Sequence, residues 1–303
     1  MSAVMRPPSK KRRSDRGRSR AAARVVDARS APLGADAAAG AEPHSSAQLI
    51  SHHPPPWWLL ALEGRAIFEW GAWWLSQPWF DKAAAGDGHP VMVLPGLIAS
   101  DRSTWPLRKF LADRGFTAYP WDQGLNRGPQ PGLHERLLDR LSELADRHGS
   151  KVSLVGWSLG GLMSRVLAWE RPDEVRSVVT LGSPLSGHSG ATNAGRVFQW
   201  ANGRNPHDPD LQRLLGGHPE LPLTSILSRS DGVVHWRASL VPVGAFSENV
   251  EVPASHLGLG VNPVALWAVA DRLAQHPQRW QPFDYSGWRK VFYRNPSLQP
   301  LSG

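Results

Sequence analysis

Residues 151–161, Lys-Val-Ser-Leu-Val-Gly-Trp-Ser-Leu-Gly-Gly, constrain the fold more than any other part of the chain. The run predicts a short apolar strand that breaks at a glycine, presents one serine and continues as a helix. Gly156-x-Ser158-x-Gly160 is the spacing of a nucleophile elbow, a tight turn that exposes a strained serine above a sheet. The flanking glycines let neighbouring backbone approach without a clashing Cβ. Ser158 is therefore a candidate nucleophile.

Strand and helix signals alternate regularly around this turn. The predicted strands are 91–94, 117–120, 152–155, 177–181, 223–227 and 249–252. The predicted helices are 102–114, 132–148, 159–169 and 263–274. This alternation indicates the α/β class, with a mostly parallel sheet covered by helices on both faces.

The stretch of about 183–222, after the strand Ser177–Leu181, interrupts the alternation with Gly, Asn, Pro and His. A loop of that length inside a compact domain is usually functional. We expect a lid-like insertion that overhangs the elbow.

The positive charge of the chain is confined to its first residues. Residues 1–30 contain ten Lys/Arg and two Asp, so they carry the whole formal charge of +8. Residues 1–56 are rich in Arg, Ala, Ser and Pro and hold few large apolar side chains, which predicts a disordered basic tail. The tail is either solvated without a specific partner or in contact with anionic lipid. Nucleic-acid binding is disfavoured, because no aromatic or motif context accompanies the charge.

Residues 57–87 form a second unusual segment, and its first 24 residues hold six of the fifteen tryptophans. On a helix the apolar residues fall almost all round, interrupted by Glu63, Arg65 and Glu69, of which the last two could pair. Three charges argue against a transmembrane helix. Two interpretations stay open: a helix packed on the body, or one lying at a membrane interface.

A serine nucleophile needs a base and an acid, which follow it along the chain at strand ends in this type of fold. Asp231 directly follows the predicted strand 223–227, and His256 follows the strand 249–252. His235, four residues after Asp231, is the rival histidine, with contact to substrate as its alternative role. The candidate set is Ser158, Asp231 and His256.

The oxyanion of the tetrahedral intermediate also needs backbone donors. The N–H of Leu159, directly after the nucleophile, is one candidate. The N–H of Leu97 is the other, because Pro95-Gly96-Leu97 follows the first strand of the α/β body. Trp157, Phe198 and Trp200 are candidates for an apolar acyl pocket.

Five segments resemble blocks of the α/β-hydrolase superfamily, and in particular of its bacterial lipase- and esterase-like members, in the family's order. They are VMVLPGLIASDRSTWPLRKFLADRGF, VSLVGWSLGGLMSR, VVTLGSPLSG, SRSDGVVHWRAS and VPASHLGLGVNPVAL. The resemblance covers about residues 88–275 of the expected hydrolase domain, residues 88–303. It implies Ser158 as nucleophile, Asp231 as acid, His256 as base, and Leu97 with Leu159 as oxyanion donors.

Two departures from the family pattern stand out. Lipases usually have His-Gly where this chain has Pro95-Gly96. Some secreted lipases have a disulfide and a calcium site, whereas this sequence has no cysteine and no clear calcium site.

The leading hypothesis is a serine carboxylic-ester hydrolase that cleaves an apolar acyl ester or lipid through an acyl-enzyme, without cofactor or metal. The alternatives are an acyltransferase or thioesterase with the same residues, and a non-catalytic protein that binds a membrane or a partner. The absence of a signal peptide and of cysteine predicts a cytoplasmic protein with peripheral membrane association as an option. Acyl length and oligomeric state are left open.

Overall fold

A computed structural model describes residues 53–185, Thr192 and residues 220–298. Most of the expected tail (1–52) and most of the expected lid (186–191 and 193–219) lie outside the described residues. Phe198 and Trp200 lie there too.

Six parallel strands form one sheet in the order β2-β1-β3-β4-β5-β6. The strands are β1 Pro90–Leu94, β2 Thr117–Pro120, β3 Val152–Trp157, β4 Val175–Leu181, β5 Leu223–Leu227 and β6 Ser247–Glu251. Each predicted strand is present with bounds shifted by two residues or fewer, which confirms the expected parallel sheet. Because all strands run the same way, their carboxyl ends meet at a single edge.

Helices cover both faces of the sheet. They are α1 Trp57–Ala61, α2 Ala66–Leu75, α3 Gln77–Phe80, α4 Trp105–Asp113, α5 Leu133–His148, α6 Leu159–Glu170, α7 Pro263–Leu273 and α8 Arg289–Phe292. Short 3₁₀ turns lie at Leu62–Arg65, Trp236–Ser239, Pro277–Arg279 and Pro296–Leu298. This is the predicted α/β arrangement, with a hydrophobic core on each side of the sheet.

The strands supply both cores by alternation. On β1, Val91 and Val93 point to the face that α4 and α7 cover, whereas Met92 and Leu94 point to the face of α5 and α6. Helix α5 buries one stripe, made of Leu133, Leu137, Leu141 and Leu144. These layers fix the strands, and hence the loops that leave their carboxyl ends.

The tryptophan-rich segment breaks into α1, a 3₁₀ turn, α2 and α3 rather than one helix. Trp73 and Phe80 anchor it in the core, where the Phe80 ring lies 4.7 Å from that of Phe110. The suggested Arg65–Glu69 pair is wrong, because both side chains bind loops of the body instead. No helix in the described part of the chain is long and apolar enough to cross a bilayer.

Candidate active site

Ser158 lies in a strained turn between β3 and α6. Its backbone has φ 54° and ψ −119°, a region that non-glycine residues seldom occupy. A Cβ on Gly156 would lie 2.4 Å from the backbone of Gly161, and one on Gly160 would lie 2.3 Å from the carbonyl oxygen of Leu94. The turn therefore needs both motif glycines, as the sequence pattern predicts.

Asp231 and His256 meet at the same edge of the sheet. Asp231 follows β5, and His256 lies in the loop between β6 and α7. The Nδ1 atom of His256 lies 2.7 Å from Oδ2 of Asp231, and both side chains are buried. The other carboxylate oxygen accepts hydrogen bonds from the N–H groups of Val233 and Val234 at 2.8 and 2.7 Å. The acid is thus held in one orientation toward the imidazole.

The rival histidine is placed differently. His235 precedes the 3₁₀ turn at Trp236–Ser239, and its Nδ1 accepts a hydrogen bond from the N–H of Arg237 at 3.3 Å. Its ring stacks on Trp236, with ring centroids 6.1 Å apart. Burial and the nearby charge of Arg237 lower the pKa of His235. Asp231 therefore orients His256 rather than His235.

The loop after β1 passes directly beside Ser158. A Cβ on Gly96 would lie 3.1 Å from the Cβ of Ser158 and 3.8 Å from its Oγ. Asn126, which is fully buried, holds this loop: its Nδ2 donates to the carbonyl of Pro95 at 2.8 Å, and its backbone carbonyl accepts from Ile98 at 2.7 Å. Within the described residues, the N–H of Leu97 donates to no acceptor.

Leu159 is the first residue of α6, so its N–H lies among the unpaired donors that begin every helix. The positive end of the helix dipole also points at this position. Leu97 and Leu159 thus stand on the two elements that flank Ser158.

The imidazole of His256 is charged more readily than an ordinary histidine. Burial disfavours its charged form, but the charge and hydrogen bond of Asp231, and then the charge of Glu63, outweigh it. The pKa of His256 is therefore raised above 6.5. The described residues show no hydrogen bond between Ser158 and His256, a contact that often tightens only when substrate binds.

Two residues that border the acid and base were missed in the sequence. Gly182, at φ +54°, follows β4, and a Cβ there would lie 2.9 Å from Oδ2 of Asp231 and 3.1 Å from Nδ1 of His256. Glu63 accepts hydrogen bonds from the N–H groups of Gly232, His256 and Leu257. For Glu63, the sequence offered one indication of a role, a carboxylate inside an apolar run. For Gly182, the indication was a glycine directly after a predicted strand.

A second Asp–His–Ser chain lies at the opposite end of the sheet. His89 binds the carboxylate of Asp87 through Nδ1 and lies 2.9 Å from Oγ of Ser153 through Nε2. Ser153 is completely buried near the start of β3 and also bonds to Ser177. A substrate cannot reach it, so this chain satisfies buried polar groups.

Trp157, a candidate substrate contact, binds the base loop. Its indole N–H donates to the carbonyl of His256 at 3.0 Å, and the two ring centroids lie 6.3 Å apart. Contact of Trp157 or His235 with substrate stays a prediction. Across residues 53–185 and 220–298, no cluster of three or more His, Asp or Glu side chains could hold a metal ion.

Comparison with known proteins finds similarity to α/β hydrolases. The family model for the α/β hydrolase fold matches residues 133–208, a range that contains Ser158 but neither Asp231 nor His256. Aspergillus fumigatus lipase B is a structural neighbour, with a TM-score of 0.48 and 18% identity over 64% of this chain and 55% of that one.

Curated relatives match about a third of the chain. The serine hydrolase BPHL of Mus musculus is 28% identical over 108 residues, which is 32% of this chain and 37% of that protein. The triacylglycerol lipase of Pseudarthrobacter phenanthrenivorans is 32% identical over 112 residues, which is 34% of this chain and 35% of the lipase. The match therefore spans little more than a third of each relative's length. The parallel sheet, the elbow at Ser158 and the family match identify an α/β-hydrolase fold, and the curated proteins that the chain resembles include a serine hydrolase and a triacylglycerol lipase.

Proposed function

We propose that the protein is a serine carboxylic-ester hydrolase that cleaves apolar acyl esters. The observation that carries this proposal is the 2.7 Å contact between His256 and Asp231 at the edge of the sheet where the elbow presents Ser158. A buried acid, a base with one ring nitrogen left for the serine, and a strained serine form the arrangement that acyl transfer requires.

The reaction proceeds in two halves. His256 takes the proton of the Ser158 hydroxyl as Oγ attacks the ester carbonyl carbon, and the N–H groups of Leu97 and Leu159 bind the resulting oxyanion. Collapse of the intermediate breaks the C–O bond to the alcohol, which leaves with the proton from His256. Water then attacks the acyl-enzyme by the same steps and releases the acid and Ser158. Asp231 stabilises the imidazolium throughout.

The surroundings of the site favour an apolar acyl group. Leu257, next to His256, and Ile98, in the loop after β1 that also carries Leu97, expose about half of their side chains. Trp157 lies beside the base as well. These side chains offer apolar contact area to an acyl chain. We propose Phe198 and Trp200 as further contacts.

The test is labelling and turnover. The protein should react with a fluorophosphonate probe and hydrolyse p-nitrophenyl esters of graded acyl length, and Ser158→Ala should lose both activities. Full ester hydrolysis by Ser158→Ala would refute the proposal. A matched control is Ser153→Ala, which removes the buried serine at the other end of β3 and should keep labelling.

We also propose that the tryptophan-rich segment contacts an anionic bilayer. The charged side chains of Glu63, Arg65 and Glu69 bind loops of the body, whereas many large apolar side chains of residues 57–75 are exposed. The exposed set is Trp57, Trp58, Leu60, Leu62, Ile67, Phe68, Trp70, Trp74 and Leu75. Tryptophan favours the lipid headgroup region, and so many exposed apolar side chains within 19 residues mark an interaction site.

Charge complementarity selects lipid as the occupant. Residues 1–30 precede this face along the chain and carry a formal charge of +8. A basic cluster gains about 1 kcal/mol per Lys or Arg near an anionic surface. Together the apolar face and the basic residues supply the two signals that stable peripheral binding requires.

Vesicle flotation tests this contact. The full chain should float with phosphatidylserine-containing vesicles more than with pure phosphatidylcholine vesicles. A variant with Ile67→Ser, Phe68→Ser and Leu75→Ser should float less. The control variant, Val243→Ser with Val291→Ser, removes apolar side chains that are also well exposed but lie outside the segment, and should float like the wild type. Equal flotation of both variants would contradict lipid contact through this face.

A further inference from the structure

One buried carboxylate joins the loop of the acid to the loop of the base. Glu63, in the 3₁₀ turn Leu62–Arg65, is only 4% exposed. Its Oε1 accepts from the N–H of Gly232 at 2.8 Å and from the N–H of His256 at 3.0 Å. Its Oε2 accepts from the N–H of Leu257 at 2.9 Å. Gly232 follows Asp231 directly, so the carboxylate fixes both loops against each other.

The fit between the segment and the acid loop is close. A Cβ on Gly232 would lie 2.3 Å from the carbonyl oxygen of Leu59 and 2.6 Å from the nitrogen of Leu60. The backbone of α1 therefore lies against the residue that follows the acid. An ionised group in such a place is costly unless donors surround it, and three backbone N–H groups do so here.

The neighbouring charges of the segment have other partners. Arg65 donates to the carbonyl groups of Ser230 and Ala254 at 2.7 and 2.9 Å. Glu69 accepts from the N–H and the hydroxyl of Ser255 at 2.8 and 2.7 Å. They flank the same loops, but of these three charged side chains it is Glu63 that binds the backbone of His256.

We propose that Glu63 is a positioning residue for the acid–base pair, which it holds in register by binding the N–H groups of Gly232, His256 and Leu257. This inference rests on the proposed hydrolase function. Under this proposal, a segment that lies outside the α/β body contributes to the active site. The charged groups that act on the imidazole are Asp231, from the loop after β5, and Glu63, from the segment.

Glu63→Gln tests the role of the charge. The amide oxygen can still accept two hydrogen bonds, but the amide nitrogen would face the N–H of Leu257, donor against donor. We expect kcat to fall about 10- to 100-fold with little change in KM, because a misplaced catalytic group costs up to about 100-fold per ångström. We also expect the acid limb of kcat/KM to move to lower pH, because one charge that favours the imidazolium is lost.

Glu63→Asp separates charge from geometry. It keeps the negative charge but shortens the side chain by one methylene, so the rate should fall while the acid limb stays nearer to that of the wild type than in Glu63→Gln. Glu69→Gln is the matched control: it removes a carboxylate from the same segment, and the acid limb should stay in place. If the acid limb of kcat/KM shifts equally in Glu63→Gln and Glu69→Gln, the inference is overturned.

Substrate-free NMR separates this inference from the proposed function. The pKa of His256, followed by its imidazole resonances in the full chain, should fall in Glu63→Gln and not in Glu69→Gln. An unchanged pKa overturns the role of Glu63 whether or not esters are cleaved. Failure of the wild type to react with the fluorophosphonate overturns the hydrolase proposal alone.

Discussion

Gly182→Ala should damage the acid–base pair through a single methyl group. Gly182 has φ +54°, and a Cβ there would lie 2.9 Å from Oδ2 of Asp231, 3.1 Å from Nδ1 of His256 and 2.7 Å from Cδ1 of Leu259. Ordinary contacts begin at 3.4 Å, so the pair must retreat by roughly half an ångström. An alanine in this left-handed conformation also costs about 1 kcal/mol of folding free energy.

The loss of turnover and the loss of folding stability can be measured separately. If a displacement of about 1 Å costs on the order of 100-fold in rate, half of that distance costs about tenfold in kcat. Gly149→Ala is the control, because Gly149 has φ +56° with no atom within 4 Å of its Cβ position. Both variants should lose stability in thermal unfolding, Gly182→Ala more because its methyl group overlaps its neighbours, and only Gly182→Ala should lose kcat on a p-nitrophenyl ester. Equal kcat in the two variants would refute the reasoning.

Three further predictions concern the base and the oxyanion loop. The acid limb of kcat/KM should lie above pH 6.5, because the pKa of His256 is raised and only the neutral imidazole can take the serine proton; a pH–rate profile with the limb below 6.5 would contradict this. His256→Ala should greatly slow fluorophosphonate labelling, whereas His235→Ala should leave it close to wild type; the reverse result would make His235 the base. Asn126→Ala should lower kcat on the order of tenfold, less than the loss of a whole oxyanion donor, which costs about 10²–10³. Unchanged turnover would show that the Pro95 carbonyl does not need its amide donor.

Sequence patterns predicted the sheet because apolar strand signals alternate with helix signals along the chain. The signal is strongest in β1, which is apolar and fully buried, and weakest in the partly buried β2 and the largely polar β6. They also predicted that Ser158, Asp231 and His256 lie close together, because the carboxyl ends of parallel strands share one edge of the sheet. The choice between His235 and His256 could be argued only from chain order and from the position of each histidine relative to the strands. The structure adds the reason, since Asp231 uses one oxygen for its own turn and points the other at His256.

The tryptophan-rich segment could not be interpreted from periodicity, for a physical reason. Apolar residues normally face the body, and charged residues face solvent. Here the body offers unpaired backbone donors near Asp231 and His256, which carboxylates satisfy and leucines cannot. The charges therefore turn inward. Helical spacing suggested that Arg65 would pair with Glu69, because that rule considers the helix alone.

This inward turn of the charges links the two proposals for the segment. Once Glu63, Arg65 and Glu69 bind the loops of the acid and base, the side chains on the other side, such as Phe68 and Leu75, are left apolar and exposed. The same helices would then contact lipid with one face and hold the acid–base pair with the other. Removing residues 1–80 to obtain a smaller hydrolase would thus remove part of the active site along with the membrane contact. A truncated protein that folds should therefore lose turnover on a water-soluble ester, for which no membrane is needed.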